Sequence, residues 1–149
     1  PCNLYGVHDK FDDRSHFVAA LIKKIHEAKI RGDNHITLFG SGKPLRQFMN
    51  AKDFARIIKI MIEKDIVESF NVATKDNISI EQITRVALDA IGCEYMGIKY
   101  DPTKPDGQFR KDVSTERFEK IFKDFEFTDL KNGIQEVYEK CFKNKYQLS

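Results

Sequence analysis

The feature that most constrains this chain is the alternation of amphipathic helical segments with short apolar segments typical of strands. Between Ser15 and Gly32 the apolar residues recur every three or four positions, which is the spacing of one buried helix face. The same spacing recurs at 51–64, 80–91, 115–122 and 129–144, and short runs that predict strands lie at 3–6, 36–39, 45–49, 69–73 and 97–100. Ser15 is a predicted N-cap, and Ser79 with Gln82 has the pattern of a capping box. This mixture of periods predicts an α/β fold.

The composition is that of one ordinary globular domain. The chain has 149 residues, of which 41% are hydrophobic and 32% are charged. A chain of this length buries roughly two-thirds of its unfolded surface, which is enough for a core. No repeat or low-complexity segment divides it.

Charge, hydropathy and cysteine content argue against several classes of function. The formal net charge of +2 comes from 25 basic and 23 acidic residues that are scattered along the chain, so no nucleic-acid surface is predicted. The longest apolar runs, at 17–22 and 57–62, are far shorter than the roughly 20 residues of a membrane span. The three cysteines are widely separated and form no metal-binding pattern, which favours free thiols in the cytoplasm and no metal site.

Three strings carry most of the functional information. They are PCNLYGVHDKF at 1–11, LFGSGKPLRQFMNAKDFA at 38–55 and KPDGQFRKDVST at 104–115. In order and spacing they resemble the C-terminal part of the GDP-L-fucose synthase family, a group of NADP-dependent epimerase/reductases among the extended short-chain dehydrogenases. The resemblance covers essentially the whole chain, and the third string is the most specific.

The resemblance implies a domain organisation. Residues 1–149 match a substrate-binding lobe of short strands plus helices, and residues 1–6 match the tail end of a dinucleotide-binding Rossmann domain that is otherwise absent. Independently, the sequence has no GxxGxxG-type turn to hold a dinucleotide pyrophosphate, and Gly40-Ser41-Gly42 is too short to replace one. The resemblance implies a fragment that is inactive alone, from a homodimeric protein whose missing half binds most of the NADP.

The resemblance also implies the chemistry. The family converts GDP-4-keto-6-deoxy-D-mannose to GDP-L-fucose by epimerisation at C3 and C5 and then reduction at C4. His16, just before the first apolar helix, matches the histidine of the family's Cys/His acid–base pair. The loop before it looks one residue shorter than the commoner family version, and His8 is the competing candidate.

The remaining site residues follow from the same match. Arg46, presented by a stiff loop after Pro44, matches an arginine that grips the GDP diphosphate, a role that suits the forked guanidinium. Lys24 matches a phosphate-binding arginine, Phe39 an aromatic residue that packs against substrate, and Asp106 an acceptor of sugar or ribose hydroxyls. Asn3 and Leu4 match residues that touch the nicotinamide end of NADP.

Each role has a plainer alternative. Lys24 also suits a solvated helix face, Phe39 core packing, and Asp106 with Gly107 an ordinary turn. For the whole chain, the alternatives are part of another GDP- or UDP-sugar epimerase or dehydratase, or a sugar-nucleotide-binding module without catalytic machinery. Tyr95 and Lys99 have the Tyr-x-x-x-Lys spacing of the short-chain dehydrogenase proton donor, but the pair is predicted to lie outside a helix and is rejected.

Overall fold

A computed structural model describes residues 1–143 of the chain. Within this range the chain forms five α-helices and seven short strands. The helices are α1 (Phe17–Arg31), α2 (Ala51–Glu63), α3 (Ile80–Ile91), α4 (Glu116–Ile121) and α5 (Leu130–Tyr138). The strands are β1 (Asn3–Tyr5), β2 (His35–Phe39), β3 (Leu45–Arg46), β4 (Phe48–Asn50), β5 (Ile78–Ser79), β6 (Gly97–Asp101) and β7 (Arg110–Lys111).

Local sequence signals account for most helix ends. The capping box forms as predicted, because the Ser79 hydroxyl accepts from the Gln82 amide and the Gln82 side chain accepts from the Ser79 amide. At α2 the Asn50 side chain accepts from the amide of Lys52. The predicted N-cap at Ser15 is wrong, since His16 occupies the cap position of α1 and its side chain makes no capping bond. The last predicted helix gives way after α5 to a π-helical turn, Glu139–Lys143, and the predicted end at Asn144 lies outside the described residues.

The strands form three small sheets. Parallel pairing joins β1 to β4 and β2 to β6, and β3 lies between antiparallel β5 and parallel β7. The third sheet therefore connects three distant parts of the sequence, 45–46, 78–79 and 110–111.

The predicted strand at 69–73 does not form. Isolated hydrogen bonds hold this segment and the residue after it beside the N-terminal strand. The Cys2 amide donates to the Val72 carbonyl (2.9 Å), and the Gln47 side chain donates to the Thr74 carbonyl (2.8 Å). Val72 and Ala73 are buried, so the apolar run reflects burial without a ladder of backbone hydrogen bonds.

Two apolar clusters hold the elements together. The larger lies between α1, α3 and α5, where Ile22, Ile25, Ile83 and Ile134 are fully buried. In the smaller cluster, α2 packs against phenylalanine side chains that come after it in the sequence. These are Phe70, Phe118, Phe122, Phe125 and Phe127. Among residues 1–143, no helix has the length and apolar character needed to cross a lipid bilayer.

Candidate functional site

A cleft of about 350 Å³ collects five of the seven predicted site residues. Each comes from a different element: β1, α1, the end of β2, β3 and the loop after β6. The residues are Asn3, Lys24, Phe39, Arg46 and Asp106. The fold therefore brings together side chains that are up to 103 positions apart (106 − 3) in the sequence.

Arg46 is a half-buried cation in this cleft. Its Nη1 donates to the carbonyl of Leu45 at 2.7 Å. Within the described chain no carboxylate forms an ion pair with it. A guanidinium has five N–H donors in a fixed fork, so Arg46 retains donors with which to bind an anion such as a diphosphate.

Phe39 is an exposed aromatic ring flanked by two ammonium groups. Its exposed fraction is 64%. Lys24 Nζ lies 5.0 Å from the ring centroid and Lys104 Nζ lies 5.8 Å from it. Lys24 Nζ also donates to the carbonyl of Thr37 at 2.7 Å, and burial lowers the pKa of its amine. An exposed ring beside cations suits a ligand with both a planar base and negative charge.

Asp106 is held by Ser41, a residue that the sequence analysis did not select. Oδ1 of Asp106 accepts from the Ser41 amide at 2.5 Å and Oδ2 accepts from the Ser41 hydroxyl at 2.7 Å. The hydrogen bond from the Ser41 amide, and then that from its hydroxyl, lowers the pKa of the Asp106 carboxyl. The two residues are 65 positions apart, so no local pattern connects them.

His16 lies in an adjoining cleft of about 700 Å³. Asn3, Phe17 and Phe48 line both clefts, so His16 is next to the cleft of Arg46 and Asp106 and not inside it. The imidazole is exposed, and its Nδ1 lies 3.2 Å from Oδ1 of Asp9. A carboxylate at Nδ1 orients the ring and leaves Nε2 as the nitrogen that can exchange a proton with a ligand.

The adjoining cleft also contains the residues assigned to the cofactor. Leu4 and Asn3 line it, and Asn3 Nδ2 donates to the Gln47 carbonyl at 2.9 Å. His8, the competing histidine, lines the same cleft. The structure therefore places His8 and His16 in one site.

Other features contribute nothing to this site. A third cleft of about 880 Å³ has Phe118, Phe122, Phe125 and Phe127 in its wall and contains none of the predicted site residues. Tyr95 is exposed before β6 and Lys99 lies within β6, so this pair does not share a helix. Among residues 1–143, no group of three or more His, Cys, Asp or Glu side chains is arranged to hold a metal ion.

Comparison with known proteins gives consistent relatives. The model of the NAD dependent epimerase/dehydratase family matches residues 1–73. The chain is 38% identical over 120 residues to a GDP-L-fucose synthase of Sinorhizobium fredii, covering 78% of this chain and 38% of that protein. It is 33% identical over 144 residues to a GDP-L-colitose synthase of Yersinia pseudotuberculosis, covering 92% and 45%.

The fold has a solved counterpart. A crystal structure of a GDP-L-fucose synthetase from Naegleria fowleri bound to NADP superposes with a TM-score of 0.85 and 30% sequence identity. The match covers 99% of this chain and 46% of that one. The chain thus spans less than half the length of these relatives.

Proposed function

We propose that the chain is the sugar-nucleotide-binding part of an NADP-dependent epimerase/reductase that forms GDP-L-fucose. The match of residues 1–73 to the NAD dependent epimerase/dehydratase family and the similarity to a GDP-L-fucose synthase support this proposal. The substrate would be GDP-4-keto-6-deoxy-D-mannose. The observation that carries this proposal is the cleft in which Arg46, Lys24, Phe39 and Asp106 meet.

The cleft has suitable chemistry for a GDP-sugar. Arg46 and Lys24 supply positive charge for the diphosphate, with a forked donor set on Arg46 and an ammonium on Lys24. Phe39 supplies an exposed ring for packing, and Asp106 supplies carboxylate acceptors for hydroxyl groups. A nucleoside diphosphate sugar needs all three kinds of contact: positive charge, ring packing and acceptors for hydroxyl groups.

His16 is proposed to move the proton during epimerisation. Asp9 orients the ring through Nδ1, so that Nε2 exchanges the proton at C3 or C5 of the sugar. The other member of the acid–base pair would come from outside this chain. His16 and the binding residues share the wall formed by Asn3, Phe17 and Phe48, which allows one ligand to extend from the diphosphate site to the imidazole.

NADP is proposed as the cofactor of the longer protein, where it supplies the hydride for C4. Asn3 and Leu4 fit its nicotinamide end because they line the cleft of His16. The chain has no glycine-rich turn for the pyrophosphate. We therefore propose that residues 1–149 are a substrate-binding domain, that 1–6 complete a dinucleotide-binding domain, and that this other domain mediates homodimer formation.

The cellular setting is proposed from the cysteines. Cys2, Cys93 and Cys141 are widely separated in the sequence and form no metal-binding pattern. Three cysteines in this arrangement suit a reducing compartment, so we propose that the protein is cytoplasmic.

Titration of the chain with GDP tests the binding role. Arg46→Ala is expected to weaken GDP binding about 10- to 100-fold, because hydrogen bonds to charged groups contribute about 1.5–3 kcal/mol each. Arg46→Lys keeps the charge but not the fork, so its affinity should fall between the two. Arg31→Ala is the matched control, since Arg31 is an exposed arginine paired with Asp33. Equal GDP affinity in wild type and Arg46→Ala would reject the assignment.

A second candidate is an enzyme that acts on another GDP-linked sugar. The similarity to a GDP-L-colitose synthase supports it. Both candidates share the GDP contacts, and the sugar distinguishes them. Tighter binding of GDP-L-fucose than of GDP-L-colitose favours the first candidate, whereas the reverse order favours the second.

A further inference from the structure

The loop between β6 and β7 contributes Asp106 to the wall of the cleft that contains Arg46, and strand pairing holds the loop at both ends. At its start β6 pairs with β2, and at its end β7 pairs with β3. The Leu45 amide also donates to the Phe109 carbonyl at 2.7 Å. Residues 102–109 between these points are all exposed, so apolar burial contributes little to their position.

Asp106 and Ser41 join the middle of this loop to the turn after β2. Both carboxylate oxygens accept from Ser41, one from its amide and one from its hydroxyl. We call this pair of hydrogen bonds the clasp. The Ser41 hydroxyl also accepts from the Lys43 amide at 3.2 Å, which orients it within the turn. Hydrogen bonds to an ionised acceptor are stronger than those between neutral groups.

Gly40 permits the clasp. Its φ is +73°, and a Cβ at this position would overlap Oδ1 of Asp106. The absence of a side chain therefore lets the carboxylate approach the backbone of the turn. The turn at Gly40 and the loop that carries Asp106 therefore pack closely at this point.

The loop that contains the clasp presents two charged side chains near the cleft. With Asp106 fixed, Lys104 lies with its Nζ 5.8 Å from the centroid of Phe39, and Asp106 itself faces the cleft of Arg46. Each carboxylate oxygen has a second lone-pair site, so a ligand hydroxyl can still be accepted while the clasp is closed.

We propose that Ser41 is a positioning residue that holds residues 102–109 in place beside the nucleotide cleft, through Asp106. This inference rests on the proposed function only for the identity of the ligand. The fastening of the loop is a property of the chain without ligand. Ser41 acts on the ligand through Asp106 and Lys104 and not by direct contact.

Hydrogen exchange of the ligand-free chain tests the fastening. In Ser41→Ala, exchange of the backbone amides at 41 and 45, which donate to Asp106 and Phe109 of the loop, should rise about tenfold, the factor expected for one lost hydrogen bond to a charged group. Ser41→Thr keeps the hydroxyl and should restore slow exchange. Ser69→Ala, an exposed serine elsewhere, is the matched control. Unchanged exchange of the amides at 41 and 45 in both Ser41→Ala and Asp106→Asn would overturn the clasp.

GDP titration of the same variants tests the purpose of the clasp. Ser41→Ala should bind GDP several-fold more weakly than wild type, and Ser41→Thr and Ser69→Ala should bind it equally well. A loosened loop with unchanged GDP affinity would overturn the positioning role while leaving the proposed function intact. Failure of the wild-type chain to bind GDP would instead reject the proposed function, and the exchange data would still decide whether the clasp exists.

Discussion

Replacing Asp53 with alanine removes a carboxylate that is 1% exposed and joins α2 to the segment before α5. Its oxygens accept from the Thr128 amide at 2.7 Å and the Thr128 hydroxyl at 2.9 Å. Arg56 Nη1 donates a third hydrogen bond at 3.0 Å from a more exposed position. The substitution leaves the Thr128 donors without their acceptor.

The expected loss of stability follows from these contacts. Each hydrogen bond from Thr128 to the buried carboxylate contributes about 1.5 kcal/mol, the lower end for charged groups, and the exposed Arg56 contact adds little. The free energy of unfolding should therefore fall by about 3 kcal/mol. With an unfolding entropy of roughly 2.1 cal/mol/K per residue, this corresponds to a Tm decrease of about 10 °C for 149 residues.

Urea denaturation followed by circular dichroism measures the effect. Thr128→Val removes only the hydroxyl contact and should cost about half as much as Asp53→Ala. The double variant should lose less than the sum, because both substitutions remove one shared interaction. Glu63→Gln, at an exposed ion pair on the same helix, is the control and should change stability by under about 0.5 kcal/mol. A loss below about 1 kcal/mol for Asp53→Ala, or strict additivity, would refute this reasoning.

Two further predictions concern close packing and pH. Gly133→Ala should lower the free energy of unfolding by about 1–3 kcal/mol, because the new Cβ would overlap the hydroxyl of the buried Tyr5. This loss should exceed the gain from the higher helix propensity of alanine. Thermal denaturation measures the effect, and Gly97→Ala is the control because a Cβ at Gly97 has room. Since the folded pKa of Asp106 is lowered, the clasp should be fully formed above the ordinary carboxyl pKa of about 4 and be lost as the pH falls through the lowered value. The amide resonance of Ser41 reports this transition, and a shift midpoint at or above the ordinary pKa would contradict it.

Local patterns in the sequence predicted those parts of the fold that local chemistry determines. The capping box at Ser79 and the helices each depend on residues within one or two turns. The resemblance supplied the residues that the structure brings into one cleft, among them Arg46 and Asp106.

Most of the features that were missed depend on distant contacts. The clasp links Ser41 to a residue 65 positions away, and the absent strand at 69–73 depends on whether a neighbour offers a full ladder of bonds. Asp53 looked like an ordinary first-turn acid, but the segment around Thr128 buries it. One missed feature is local: the α1 cap lies at His16 and not at Ser15, because the Ser15 hydroxyl donates to the Asp12 carbonyl within the preceding loop.

The central claim is that the cleft of Arg46 and Asp106 binds the nucleotide part of a GDP-sugar. Adding GDP to the isotope-labelled chain and recording amide shifts by NMR tests it most directly. We expect shifts concentrated at 24, 37–46 and 103–107, with little change around the phenylalanine-lined cleft at 118–128. Shifts concentrated at 118–128, or no shifts at millimolar GDP, would contradict it.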